Sequence, residues 1–184
     1  MPVSDTARVR YSTVAIWLHW SIAALVIANL AIGLLHDSLL HGVRWAIPLH
    51  MSFGLTVLIL SLARVAWRLS HPFLPAPTDV PRWQQVAARA THIALYALIL
   101  LMPFTGWMMA SAGKHPIGFY WLVDAPKLPV SKALGDVAHQ GHGVLGWLML
   151  ALVALHVGAA LRHHFLLRDG VLGRMIPAVA NDRG

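Results

Sequence analysis

The sequence predicts an all-α fold, an integral membrane four-helix bundle with N- and C-termini cytoplasmic. Three observations predict it. The 184 residues are 58% hydrophobic and only 11% charged, where a soluble domain carries about 25% charged residues. Four apolar runs, at about 13–35, 45–67, 90–112 and 138–161, are each long enough to cross about 30 Å of hydrocarbon. The basic residues behind the net charge of +7 gather at the ends of those runs. There they act as topology signals and headgroup contacts, not as a nucleic-acid patch.

Residues 1–12 form a polar cytoplasmic head with Arg8 and Arg10. In Thr13–Leu35 the strongly polar residues are His19 and Asn29. Its basic start resembles a signal peptide. The apolar core is too long for one and no small-x-small cleavage site follows Leu35, so it is the first helix. His36–Arg44 is a short polar loop. Trp45–Trp67 is the second helix, with His50 near its start and Arg64 near its end. Leu69–Arg89 holds Pro72, Pro75, Pro77 and Pro81 and reads as a surface loop, because repeated Pro stops helices. Ala90–Ala112 is the third helix, with His92 and a local bend at Pro103 and Gly106; Pro is tolerated in a membrane helix when neighbours re-satisfy the freed carbonyl. Gly113–Val137 is the longest loop. Ala138–Leu161 is the fourth helix. The transmembrane domain spans 13–167, and 168–184 is a basic cytoplasmic tail.

Counting Lys and Arg fixes the orientation. With the N-terminus inside, the head, the loop between helices 2 and 3, and the tail carry Arg8, Arg10, Arg64, Arg68, Arg82, Arg89, Arg162, Arg168, Arg174 and Arg183. The opposite side carries only Arg44, Lys114, Lys127 and Lys132, so the positive-inside rule places both termini in the cytoplasm. Trp17, Trp20, Trp45, Trp67 and Trp107 near helix ends form an aromatic belt.

Cys is absent, which removes disulfides, iron–sulfur clusters, thiolate zinc sites and covalent c-type haem attachment. His becomes the main ligand type, with 12 His against 7 Asp plus Glu. His142 and His156 lie 14 residues apart on the last helix. That is roughly 21 Å along the axis and just under four turns, so both rings leave one helix face. His19 is about 9 Å from the cytoplasmic end of its helix and His156 about 8 Å; His50 is about 8 Å from the outer end and His142 about 6 Å. They form two level pairs, His19 with His156 and His50 with His142. Zinc prefers three or four converging ligands, whereas two opposed imidazoles suit the axial positions of haem iron. Small residues one turn from the ligands, Ala23, Gly54 and Gly146, leave room for a macrocycle edge.

Arg64 and Arg68, with Arg10 and Lys132, are available to pair with haem propionates. His92 lies only two residues into its helix, too shallow for the His19 level, and reads as a propionate or quinone hydrogen-bond partner. His163 and His164 are interfacial candidates for a quinone or proton site. His139, three residues before His142, is a rival ligand. His36, His41, His71 and His115 read as solvated loop residues. The Met residues at 102, 108, 109 and 149 read as packing.

The chain resembles the bacterial cytochrome b561 family from Tyr11 to about Met175. The resemblance rests on Ile16-Trp17-Leu18-His19-Trp20, on His50 followed by Gly54, on Tyr96 with Leu101-Met102-Pro103-Phe104-Thr105-Gly106, and on His142, His156 and His163-His164-Phe165. It implies a four-helix membrane protein of the bacterial inner membrane with two non-covalent b haems, and His19, His50, His142 and His156 as axial ligands. Members resembling this short, stand-alone form act as superoxide oxidases, taking an electron from superoxide at the outer face and reducing ubiquinone in the membrane. Related cytochromes are membrane subunits that pass electrons from a hydrogenase or formate dehydrogenase to quinone. That second reading needs a soluble partner protein docked on the outer loops. A third, a haem-free transporter with His proton relays, is disfavoured because none of the four spans contains an acid.

Overall fold

The computed structural model describes residues 11–71, 80–169 and 171–176. Four long helices run up and down: α1 Thr13–Leu35, α2 Ala46–Ser70, α3 Arg82–Ala112 and α4 Lys132–Arg162. All four are long and apolar enough to cross a membrane. Between α3 and α4 lies a hairpin, β1 Ile117–Phe119 and β2 Val123–Ala125. A π-helical turn, His163–Leu167, and a 3₁₀ turn, Leu172–Arg174, follow α4. The expected head, with Arg8 and Arg10, lies almost wholly outside the described residues, as do Pro72, Pro75, Pro77 and Arg183.

The helix starts have local causes. The Ser12 hydroxyl accepts from Ala15 N at 3.3 Å and caps α1, and Ser131 accepts from Leu134 N at 3.2 Å and caps α4. Pro81, with φ fixed near helical values, sits at the mouth of α3. Two expected boundaries are corrected here. The third helix begins at Arg82, not Ala90, because nothing after Pro81 stops it. The fourth begins at Lys132, not Ala138, because Ser131 supplies the cap. The second helix runs on to Ser70. The 113–137 segment, expected as loop throughout, contains the antiparallel hairpin with Ile117 opposite Ala125 and Phe119 opposite Val123.

The hairpin is anchored on α2. Ser52, 1% exposed, donates to Pro48 O at 2.9 Å and accepts from Tyr120 N at 2.9 Å. The Tyr120 hydroxyl is 2.9 Å from Thr56 Oγ1. Tyr120 and Trp121 both take left-handed backbone, φ 50° and 60°, to turn the chain there.

The buried core is thin and apolar: Ile22, Val26 and Leu30 of α1, Val57 of α2, Leu98 and Ile99 of α3, and Met149 of α4. Many large apolar residues face outward, among them Trp17, Ile27, Ile59, Ile93, Val144 and Leu155. In water such a surface would be an aggregation site; in lipid it is the expected exterior, with small residues at the helix contacts. The bundle has a terminal end, where α1 begins and α4 finishes, and an opposite loop end carrying the hairpin.

Candidate functional site

The structure brings the four predicted histidines together in the predicted couples. At the loop end, His50 of α2 and His142 of α4 have ring centroids 6.0 Å apart. At the terminal end, His19 of α1 and His156 of α4 are 6.3 Å apart. Two imidazoles sharing one metal, with each metal–nitrogen bond about 2.0–2.1 Å, place their centroids roughly 6.2–6.4 Å apart. The terminal couple falls inside that range and the loop-end couple just below it, and the ring planes cross at 74° and 83° respectively. Among the described residues no group of three or more His, Asp or Glu side chains converges on a metal position. Paired imidazoles without acids or thiols suit haem iron, whose remaining ligands come from the porphyrin.

The loop-end rings are oriented by backbone. His50 Nδ1 donates to Asn29 O at 3.1 Å, and His142 Nδ1 donates to Met102 O at 3.0 Å. Thr105 Oγ1, itself donating to Met102 O at 2.8 Å, stands 3.1 Å from the same His142 nitrogen. With Nδ1 committed as donor, Nε2 keeps the lone pair a metal needs, and the ring cannot swivel freely. His19 and His156 have no hydrogen-bonded ring nitrogen among the described residues. His19 instead meets Trp20 edge-on at 5.2 Å.

His92 needs correcting. Because α3 starts eight residues early, His92 is ten residues into the helix, not two. Its ring lies 5.4 Å from that of His156, at the terminal couple's own level. That separation is short of the metal-sharing distance, so His19 remains the better match for His156. Arg64 joins three helices here: Nε donates to the Tyr96 hydroxyl at 3.0 Å and Nη1 to Ala15 O at 3.0 Å, one turn below His19. The Arg68 guanidinium lies over the Tyr11 ring, 5.7 Å from its centroid.

The remaining candidates separate clearly. His163 Nδ1 is hydrogen-bonded to Asp169 Oδ2, so Asp169 turns back onto it; Asp169 Oδ1 also accepts from Val171 N at 3.2 Å. His164 sits in the π-helical turn, edge-on to Phe165 at 4.6 Å. His139 is exposed, and the ring that faces His50 is that of His142. His36 is not simply solvated, since its Nδ1 is buried without a partner. His71 stacks on Trp67 at 3.8 Å. Gly54 and Gly146 face Asn29 and Met102, where an added Cβ would make ordinary contacts of 3.7 and 3.8 Å. Arg44, Lys114, Lys127 and Lys132 are exposed at the loop end, with Lys127 Nζ donating to Gly113 O at 2.6 Å.

The orienting carbonyls of Asn29 and Met102 escape sequence reading, since any residue type carries a carbonyl. Thr105 and Tyr96 appear in the sequence only as part of the family resemblance; their partners, His142 and Arg64, come from the packing of α3 against α4 and α2.

A family model described as prokaryotic cytochrome b561 matches residues 10–178. The chain is 33% identical to cytochrome b561 homolog 2 of Escherichia coli K12 over 180 residues, covering 95% of each chain. It is 32% identical to cytochrome b561 homolog 1 of the same organism, over 91% of this chain and 97% of the relative. It is 27% identical to the probable superoxide oxidase CybB of Yersinia pestis, over 91% of this chain and 96% of that one.

Proposed function

The chain belongs to the prokaryotic cytochrome b561 family, and from that premise we propose a two-haem b carrier that oxidises superoxide at the outer face and reduces ubiquinone in the membrane. The coarser part follows from membership: a multi-pass membrane electron carrier of the bacterial inner membrane that binds haem b. The observation carrying the two-haem part is the presence of two couples, at 6.0 and 6.3 Å, at opposite ends of one bundle; the donor and acceptor are supported by the likeness to the probable superoxide oxidase of Yersinia pestis.

In this reading His50 and His142 hold one haem and His19 and His156 the other, with both termini cytoplasmic. Bound haem b supplies reversible one-electron chemistry. The chain supplies everything else. His142 and His156 fix the two levels about 21 Å apart along a continuous helix. Met149, 2% exposed and seven residues from each, fills the interval with Val26, Val57 and Leu98 and keeps water out. Arg44, Lys114, Lys127 and Lys132 concentrate an anionic donor at the outer mouth. Arg64 and Arg68 line the terminal level as propionate partners. One quinone takes two electrons and two protons, so two superoxide ions become two dioxygen molecules per quinol. In this reading His92, His163 and His164, at the terminal end, handle the quinone or its protons.

The test is direct. Dithionite-reduced purified protein should show b-type absorption bands, and superoxide with a soluble ubiquinone analogue should yield quinol with no other protein added. Quinol formed only when a dehydrogenase partner is present would replace this reading with the partner-subunit one. Absence of b-type bands would remove both.

A further inference from the structure

The two loop-end imidazoles are seated alike. His50 lies against α1, where its Nδ1 donates to Asn29 O and a Cβ on Gly33 would stand 2.9 Å from its Cε1. His142 lies against α3, where its Nδ1 donates to Met102 O and a Cβ on Gly106 would stand 3.0 Å from its Cε1. In each case the glycine follows the accepting residue by four positions: Asn29 and Gly33, Met102 and Gly106.

That spacing has a geometric cause. A carbonyl inside a helix points toward residue i+4, whose N–H it already accepts. A ring from another helix reaches the carbonyl's second lone pair only by lying where the i+4 side chain would stand. Alanine, otherwise the better helix former, would press its methyl onto the imidazole, 2.9 Å from Cε1 at Gly33 and 3.0 Å at Gly106, so the ring would have to shift. Among the described glycines only these two would meet a histidine ring. His19 and His156 have no such seat.

We propose that Gly33 and Gly106 are matched seats that fix the ring planes and donor nitrogens of His50 and His142. They thereby tune the loop-end haem independently of the terminal one. The proposal deepens the two-haem reading and rests on it. Neither glycine touches the reacting atoms; both act through the imidazoles, which set the iron's ligand field and potential through orientation and outer hydrogen bonds.

The experiment uses full-length protein in membranes or detergent, with low-temperature electron paramagnetic resonance (EPR) and an optical redox titration. His156→Ala, which keeps only the loop-end couple intact, assigns the signals. Gly33→Ala and Gly106→Ala should each move the loop-end g-maximum and midpoint, or lose that haem, while the terminal signal stays in place. Gly143→Ala, where a new Cβ meets nothing within 4 Å, should change neither. If the glycine variants are not recovered, Thr105→Val decides, because it adds no clash and removes one contact to His142 Nδ1. Its expected effect is a shift of the loop-end signal alone. Unchanged signals in the recovered variants, or equal shifts at both levels, would overturn the seats. Two intact haem signals in the parent beside such a result would leave the two-haem reading standing; a parent without b-type signals would remove both.

Discussion

His50 and His142 face each other across the loop end with ring centroids 6.0 Å apart and planes crossed at 83°. The helices impose this crossing, since each ring is pinned by its Nδ1 to a carbonyl of a different neighbour, Asn29 on α1 and Met102 on α3. Haem iron held between imidazoles crossed in this way would have two nearly degenerate d orbitals. The oxidised protein should therefore give strongly anisotropic low-spin EPR signals at both levels, with the terminal couple crossed at 74°. Rhombic spectra of the kind given by parallel imidazoles would contradict the geometry.

Arg64 holds the terminal level together by donating to Tyr96 on α3 and to Ala15 O on α1. Arg64→Leu removes charged hydrogen bonds worth about 1.5–3 kcal/mol. At about 1.4 kcal/mol per factor of ten, haem at the terminal couple should be retained roughly tenfold less well or worse. The loop-end haem should be unaffected. Equal loss at both levels would show that Arg64 stabilises the bundle generally.

At Gly135 α4 lies hard against α3, since a Cβ there would stand 2.3 Å from the Ala112 Cβ. Gly135→Ala forces the loop ends of these helices apart, and overpacking typically costs about 1–3 kcal/mol. Thermal unfolding of the purified variant should begin at lower temperature. Ala112→Gly in the same chain should restore most of the loss, because it removes the clashing atom.

Ser52 ties the hairpin to α2 by bridging Pro48 O and Tyr120 N. Ser52→Ala leaves the Tyr120 N–H without its acceptor, at about 1–3 kcal/mol. Amide exchange across residues 118–125 should accelerate while haem content stays at the parental level. Unchanged exchange would mean the hairpin is held elsewhere, by Thr56 or by the Trp107 contact to Pro126 O.

Much of this was legible in the sequence because membrane helices have one dominant signal, apolar length, and histidine is conspicuous within it. Depth arithmetic along α1, α2 and α4 paired the four rings as the structure pairs them. It misplaces His92 because hydropathy rises only at Ala90, whereas α3 begins eight residues earlier, directly after Pro81. The hairpin was missed because its strands are three residues each and held by Ser52, not by any alternating pattern. The seats at Asn29 and Met102 were invisible because they are backbone, and the role of Gly33 emerges only when another helix is laid against it.

The account stands on two haems, one per imidazole couple. The haem-to-protein ratio, measured by pyridine haemochrome in the parent, His156→Ala and His142→Ala, tests it most directly. The prediction is two per chain in the parent and one or fewer in each variant. A parental ratio of one, or a ratio that neither substitution lowers, would contradict it.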